Sequence, residues 1–190
     1  MKKKGEAGYI HVRKKQVVLK TILEFGIVIA LLVLGILQTG NRLNVLTVVA
    51  VVGCLPAAKA MVEMIMLLPH RTISEEYSLQ IEMRGSELTR LYDLVFTSEK
   101  KVMPVDSIVL VGNTICGYTS SKKCDANFTA KHLQTYLHAN HFSKVSIKIF
   151  EEFSEYIRRV EEMNFMAKKG EQDTRKHEES ISRVLQNLSL

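Results

Sequence analysis

The stretch FGIVIALLVLGILQTGNRLNVLTVVAVVGCLPAA, residues 25–58, contains a single charged residue, Arg42. Uncharged runs lie on both sides of this arginine, over residues 25–41 and 43–58. Each run reaches about 20 residues when a charged residue at its edge is allowed to extend to the membrane surface. A helix of about 20 residues crosses the ~30 Å hydrocarbon core of a bilayer, so each run predicts a membrane span.

The connection between the two runs is the polar turn TGNR, in which Gly40 and Asn41 break helices. Two spans joined by so short a turn must be antiparallel. A cleavable signal peptide is the competing interpretation of the first run, but no small-x-small cleavage site ends that run and a second apolar run follows at once. We therefore predict a transmembrane α-helical hairpin over residues 16–69, with spans at about 17–38 and 43–68.

Lysine and arginine are concentrated on one side of the predicted hairpin. The turn contains only Arg42, whereas residues 1–15 form a basic arm with six such residues: Lys2, Lys3, Lys4, Arg13, Lys14 and Lys15. Because positively charged loops stay in the cytoplasm, this distribution predicts that both termini are cytoplasmic. The chain is then a multi-pass protein of the cell membrane (the inner or plasma membrane).

Four charged residues lie near the predicted cytoplasmic ends of the spans. They are Lys20 and Glu24 in the first helix, and Lys59 and Glu63 in the second, each pair with i, i+4 spacing. One interpretation is an interhelical ladder of ion pairs, Glu24 with Lys59 and Lys20 with Glu63, that fixes the register of the hairpin. The second is that each lysine extends to the headgroups and each glutamate lies in wet lipid, without pairing. An ion or proton path is the third.

The net charge of +6 belongs to the N-terminal part of the chain. Residues 1–69 hold nine basic and three acidic residues, whereas residues 70–190 hold seventeen of each. A nucleic-acid-binding domain usually carries a basic patch of its own, and the second part of this chain has no such excess. Nucleic acid is therefore not an expected partner, whereas the lipid bilayer is.

Residues 70–170 have the sequence of a cytoplasmic α/β (α+β) domain. Ser74, followed by two glutamates, predicts a helix start. Three extended segments follow, LYDLVFT, VDSIVLV and TICGYTS, separated by turns at EKKVMP and GN. Asp125 or Asn127 caps an amphipathic helix, KVSIKIF alternates as a strand, and a further amphipathic helix ends at Gly170. The polar residues 171–190 predict a C-terminal helix or tail.

The predicted element order is αβββαβα, with a four-stranded mixed sheet, because hairpin strands are followed by a crossover helix. The alternative assigns residues 77–84 to a strand and 86–97 to a helix, which gives a ferredoxin-like βαββαβ layout. Alternating apolar residues in 77–83 favour that strand, whereas the helical spacing of Tyr77 and Ile81 favours the first order.

The first order resembles the αβββαβ core of restriction-endonuclease-like proteins, over about 80 residues. That family holds a divalent metal with an acidic residue on the second strand and a (D/E)xK motif on the third. Asp106 stands at the position of the first acid, but Tyr118 stands at that of the second acid and Ser120 at that of the lysine. The resemblance therefore implies a nuclease-like layout without the catalytic motif, with Asp106 as its one candidate residue.

Cysteines and histidines form a further candidate cluster, for zinc or for nucleophilic catalysis. Cys116 and Cys124 have the spacing C-x7-C, and structural zinc sites use more closely spaced ligand pairs. The sequence indicates no third group to orient a cysteine–histidine pair, and no Walker, H-E-x-x-H or G-x-G-x-x-G pattern occurs. We therefore predict no catalytic residue, no metal site and no cofactor.

Three functions fit this sequence. The favoured one is a non-enzymatic membrane protein that presents its small cytoplasmic domain to a membrane or cytoplasmic protein, or to itself, for binding or signalling. The second is a diverged membrane-bound nuclease-like enzyme, which requires a pocket that gathers Asp106, Tyr118 and Lys122. The third is a hairpin that oligomerises into a pore or another membrane effector.

Overall fold

The computed structural model describes residues 3–40, 45–98, 101–169 and 174–190. These residues form two compact units. One consists of residues 10–71 and is called the hairpin unit below. The other consists of residues 3–9 together with the described residues from 72 to 190, and is called the domain.

The hairpin unit consists of two long helices, α1 (Tyr9–Thr39) and α2 (Val45–Leu67). Both are long and apolar enough to cross a membrane by the criteria of length and composition. α1 begins eight residues before the predicted span, because the basic segment His11–Lys15 continues the helix. Pro56 lies inside α2, which continues through it.

One face of α2 consists of small residues that are buried or lie close to α1. Ala50, Ala57 and Ala60 are almost completely buried, and a Cβ atom added at Gly53 would lie 3.3 Å from Cγ2 of Val28. These four positions of α2 are spaced by three and four residues, the periodicity of a helix face that stays against a partner helix. We call this face the small-residue seam. Small residues are common where membrane-spanning helices contact each other.

The opposite faces of both helices expose large apolar side chains. Leu37 is 76% exposed, Val45 79% and Leu55 73%. Exposed leucine, isoleucine and valine side chains continue along both helices between Leu19 and Leu68. An exposed apolar surface of this length is unfavourable in water and is typical of a surface that contacts lipid or another protein.

The domain contains four strands and four helices in the predicted order αβββαβα. These are α3 (Glu75–Arg84), β1 (Thr89–Thr97), β2 (Val102–Val111), β3 (Thr114–Tyr118), α4 (Ala126–Ala139), β4 (Ser146–Phe150), α5 (Phe153–Lys169) and α6 (Arg175–Leu188). The sheet order is β1-β2-β3-β4; β1/β2 and β2/β3 are antiparallel, whereas β3/β4 are parallel. The predicted α+β domain with a four-stranded mixed sheet is thus confirmed.

The sheet is covered by helices on both faces. α3 and α5 pack on one face, around Ile81, Tyr156 and Val160. α4 and α6 pack on the other, around Leu133, Leu137, Ile181 and Leu185. The domain therefore has three layers with the sheet in the middle.

The ferredoxin-like alternative is wrong, because the segment that it assigns to a strand forms helix α3 and the segment that it assigns to a helix contains strand β1. Ser74 caps α3 by accepting a hydrogen bond from the backbone N–H of Tyr77 at 3.3 Å. Ile81 is fully buried while Leu79 and Met83 are exposed, so the alternating apolar residues do not share a face. Capping and the helical spacing decide this segment in favour of a helix.

The first described residues of the chain pack on the domain. The backbone N–H of Tyr92 donates to the carbonyl of Gly5 at 2.8 Å, and Lys4 donates to the carbonyl of Ser189. By contacts within the structure, the chain divides between residues 9 and 10 and between residues 71 and 72. The C-terminal segment forms α6, whose Ile181 and Leu185 are fully buried in the domain core.

Candidate functional site

The four charged residues of the predicted ladder pair differently in the structure. Oε1 of Glu63 lies 2.6 Å from Arg13, and Lys20 lies 3.7 Å from Glu24 on its own helix. Lys59 is exposed and forms no ion pair with any of the residues described. Neither predicted interhelical pair, Glu24 with Lys59 or Lys20 with Glu63, is formed.

Helix rotation explains this difference. Glu24 is half-buried, and its Oε2 atom is buried without a hydrogen-bond partner among the described residues. Lys59 lies between Ala57 and Ala60 of the small-residue seam, and successive helical residues are rotated by about 100°. The seam therefore turns Lys59 outwards, and equal depth along the two helices does not bring it to Glu24.

Asp106 is a buried carboxylate in the middle of β2. It is 7% exposed, and one of its oxygens accepts a hydrogen bond from the backbone N–H of Ser120 at 2.6 Å. Burial raises the pKa of Asp106, the hydrogen bonds from Ser120 lower it, and the charge of Asp93 raises it further. By strand register Asp106 lies opposite Asp93, between the pairs Tyr92–Ser107 and Leu94–Val105.

Asp93 is the second buried carboxylate, and sequence reasoning missed it. Its Oδ2 accepts hydrogen bonds from the backbone N–H of Gly8 at 2.8 Å and from the hydroxyl of Thr72, and its Oδ1 accepts from the backbone N–H of Ile73 at 2.9 Å. Gly8 directly precedes α1, and Thr72 follows α2 by four residues of chain. Asp93 therefore binds both chain segments that lead into the hairpin. The signal in the sequence is an acid inside the apolar strand LYDLVF.

The structure does not assemble the nuclease-like site around Asp106. Tyr118 belongs to an aromatic cluster, with ring centroids 5.3 Å from Phe153 and 5.7 Å from Tyr156. Lys122 is exposed in the turn before α4. Within the described ranges, no group of three or more His, Cys, Asp or Glu side chains is placed to hold a metal ion. Asp106 and Asp93 thus act as hydrogen-bond acceptors that position backbone segments.

The two cysteines considered for zinc or catalysis lie on opposite faces of the sheet. Cys116 belongs to the core under α3 and α5, and Cys124 to the core under α4 and α6. Burial raises the pKa of the Cys116 thiol, although a hydrogen bond with Arg159 lowers it in part. A thiol with a raised pKa is protonated at neutral pH and is a poor nucleophile.

An open cleft lies on the α5 face of the sheet, beside β4. Its volume is about 320 Å³, near the lower end of the range typical of ligand sites. Cys116, Ser146 and Lys148 line its floor on β3 and β4, and Arg158, Arg159 and Glu162 line its wall on α5. The cleft exists because α5 covers the C-terminal end of β4 at Phe150 and leaves Ser146 and Lys148 exposed.

Charged side chains dominate the lining of this cleft. Arg159 donates to Oε2 of Glu162 at 2.8 Å, and Nζ of Lys148 lies 4.7 Å from the centre of the Phe150 ring. Lys148 and Arg158 form no ion pair with the residues that the structure covers, and neither does Glu155 at the rim. A charged, open cleft suits a polar and partly anionic ligand better than an apolar one. No pattern in the sequence indicates this cleft, because its residues come from three separate elements.

No protein family, no curated protein and no solved structure matches this chain.

Proposed function

We propose that this chain is an integral membrane protein whose helical hairpin anchors the α+β domain to the cytoplasmic face, where the domain binds a partner protein. The observation that carries the anchoring is the exposed apolar surface of α1 and α2, from Leu19 to Leu68. A bilayer covers such a surface, and each buried methylene contributes about 0.8 kcal/mol. The small-residue seam supports the same proposal, because small residues are enriched where membrane spans contact each other.

The orientation rests on the distribution of charge. Residues 1–15 hold six lysines and arginines, whereas the turn between the helices holds Arg42 alone. The positive-inside rule then directs both ends of the hairpin, and with them the domain, to the cytoplasm. The turn is too short to bind a ligand outside the cell, so we assign partner binding to the domain.

Binding without catalysis is the activity that the side chains of the domain support. The buried acids Asp93 and Asp106 accept hydrogen bonds from the backbone, and the thiol of Cys116 has a raised pKa. The cleft beside β4 offers charged groups to a ligand but no nucleophile paired with a base. A small neutral domain with such a cleft is suited to holding a partner near the membrane.

Cysteine labelling in intact bacterial cells tests the anchoring and the orientation. Native cysteines are first replaced by serine or alanine, and single cysteines are then introduced by Asn41→Cys and Lys122→Cys. Lys122 is a better reporter than native Cys124, because Lys122 is exposed and Cys124 is 4% exposed. We expect a membrane-impermeant maleimide to label Asn41→Cys in intact cells, and Lys122→Cys only after permeabilisation.

The reverse labelling pattern would overturn the orientation. Extraction of the protein from membranes by alkaline carbonate would overturn the anchoring itself. The N-x-S/T sequons at Asn127 and Asn187 give an independent check in a eukaryotic host, where cytoplasmic sequons stay unglycosylated.

A further inference from the structure

The last strand of the sheet, β4, has one open edge. β4 pairs with β3 on one side and with no other strand in the part of the chain that the structure describes. The N–H of Ser146 donates to Asn113, and the carbonyl of Phe150 accepts from Thr119, so both groups point towards β3. Since successive residues of a strand direct these groups to alternate sides, the N–H and C=O groups of Ile147 and Ile149 point away from the sheet. These are the groups to which an added strand binds.

The open edge and the cleft share strand β4, and the two together are called the groove below. Ser146 and Lys148 of β4 line the floor of the cleft together with Cys116 of β3, and α5 forms its wall. A strand added to β4 directs every second side chain to the α5 side of the sheet, which is where the cleft lies. Backbone hydrogen bonds from the edge and side-chain contacts in the cleft are the two components of peptide recognition by strand addition.

The charge of the groove selects the added strand. Two cations in its lining, Lys148 and Arg158, have no carboxylate partner among the described residues, against one unpaired acid, Glu155. An acidic side chain entering the cleft between Lys148 and Arg158 gives both cations a partner. We infer that β4 and α5 bind an extended, acidic segment of a partner protein as a fifth strand. This inference rests on the proposed function, because it names the surface and the kind of partner.

A second copy of this chain fits the edge less well. In the antiparallel pairing of two β4 strands that uses the peptide groups of both Ile147 and Ile149, each Lys148 stands opposite the Lys148 of the other copy. Like charges placed directly opposite each other destabilise a pair of strands. Lysines on an edge strand thus oppose self-pairing and favour an acidic strand.

The test uses the full chain in lipid nanodiscs and a displayed library of random linear peptides of about ten residues, a length that covers a strand. Empty nanodiscs remove peptides that bind lipid or scaffold. We expect enriched peptides to carry Asp or Glu at alternate positions. One enriched peptide, synthesised with a fluorescent label, then serves as the probe in anisotropy titrations.

Charge reversal in the cleft tests the side-chain contacts. Lys148→Glu and Arg158→Glu should each weaken binding of the probe by at least about tenfold, because they replace attraction by repulsion. Lys131→Glu is the matched control, since Lys131 is exposed on α4, on the other face of the sheet. Equal losses for all three variants would indicate a general charge effect and would overturn the inference.

Single N-methyl groups along the probe test the strand geometry without changing the protein. An N-methyl group removes a donor, so only peptide positions that face β4 should lose binding, with a period of two residues. Losses without that period, or enriched peptides without acids, would overturn the inference. Two further outcomes would also overturn it. If the chain dimerises and the probe abolishes the dimer, the edge belongs to a second copy. If millimolar inorganic phosphate displaces the probe completely, the cleft is a small-anion site.

The two proposals fail separately. A chain that passes the labelling test but selects no acidic strand keeps its anchoring, and only the groove assignment is lost. A chain with the reverse orientation loses the proposed function, while its groove remains measurable in nanodiscs.

Discussion

Asp93 combines three features that are each costly at the scale of a single residue: burial, a negative charge and a backbone in the left-handed region. It is 3% exposed and its φ is 56°. Aspartate and asparagine adopt positive φ more readily than most residues. Hydrogen bonds from Gly8, Thr72 and Ile73 offset the burial of the charge. Both chain segments that lead into the hairpin donate hydrogen bonds to this carboxylate. Asp93 therefore holds these two segments together within the domain, in addition to filling a position in the core.

Replacing Asp93 by Asn keeps the size and the tolerance of positive φ but turns one acceptor into a donor. At least one of the three donors around it then loses its partner, which costs about 1–3 kcal/mol. We expect the thermal midpoint of the full chain in detergent to fall, and amide exchange at Gly8 and Ile73 to accelerate. Asn164→Asp is the comparison variant, because it also exchanges an amide and a carboxylate at a position of the domain whose side-chain oxygen accepts a hydrogen bond. It reports any general effect of such an exchange on stability. An unchanged midpoint for Asp93→Asn would show that the three hydrogen bonds are dispensable.

Asp106 lies opposite Asp93, and its pKa is raised mainly by burial. A carboxyl group with a raised folded-state pKa favours the folded state when protonated, so its contribution is lost as pH rises from the ordinary aspartate value through the raised one. In Asp106→Asn the side chain does not ionise, so this loss of stability at neutral pH is absent, and the amide oxygen can still accept the hydrogen bond from Ser120. We expect the variant to melt about 2–4 °C above the wild type at neutral pH, with the difference shrinking towards pH about 4. A difference that grows on acidification would have the wrong sign.

The ion pairs of the hairpin give a residue-scale test of helix rotation. Arg13 and Glu63 are both more than one-third exposed, so their coupling in a double-mutant cycle should lie within about 0–1 kcal/mol. Glu24→Gln and Lys59→Met should be additive within about 0.3–0.5 kcal/mol. Thermal stability in detergent reports both cycles. A coupling of Glu24 with Lys59 that exceeds the coupling of Arg13 with Glu63 would restore the predicted ladder.

At the scale of elements, we expect the packing of α1 against α2 to depend on the small size of the side chains in the small-residue seam. Ala57 is fully buried, whereas its neighbour Ala58 is exposed. The same substitution at the two positions therefore separates packing from hydrophobicity and helix propensity.

Ala57→Leu should destabilise the hairpin by about 1–3 kcal/mol, because the larger side chain has no space in the seam. Ala58→Leu, the matched control, should have little effect. The measurement is disulfide formation between cysteines introduced at Val28 and Gly53, which lie in contact across the seam. Equal cross-linking in both variants would indicate that the helices do not depend on this seam.

α6 shows how a segment predicted as a polar C-terminal helix or tail becomes part of a core. Glu178 is 4% exposed, and it accepts hydrogen bonds from the hydroxyls of Thr89 and Thr174 and from the backbone N–H of Gly112. Ile181, one turn further on, is fully buried. The acid on the apolar side of the helix thus positions α6 on the sheet, which explains why a segment of low overall hydrophobicity is ordered.

The domain, at the scale of the whole molecule, is discontinuous in sequence. Residues 3–9 form part of it, and the chain then leaves for the hairpin before it returns at residue 72. Gly8 and Thr72 bind the same oxygen of Asp93, so the two segments lie within a few ångströms of each other.

A protein in which residues 1–9 are joined to 72–190 by a short Gly/Ser linker should therefore fold as a soluble domain. We expect it to melt cooperatively and at a higher temperature than residues 72–190 alone, which lack Gly5, the partner of Tyr92, and Gly8, one of the three partners of Asp93. Differential scanning calorimetry of the two proteins measures this. Equal midpoints would show that the N-terminal segment contributes nothing to the domain.

The sequence by itself determined the two apolar helices and the cap at Ser74, and it favoured the observed order of strands and helices over one alternative. It left the cap of α4 open between Asp125 and Asn127, and the structure shows Asp125. Each of these depends on neighbours within a few residues, through helical or alternating periodicity and local hydrogen bonds. Only the tertiary structure decided the partners of Glu24 and Glu63, the role of Asp93 and the cleft beside β4. These depend on rotation about a helix axis and on contacts between segments far apart in the chain. Counting residues along a helix fixes the depth of a side chain but not the direction in which packing turns it.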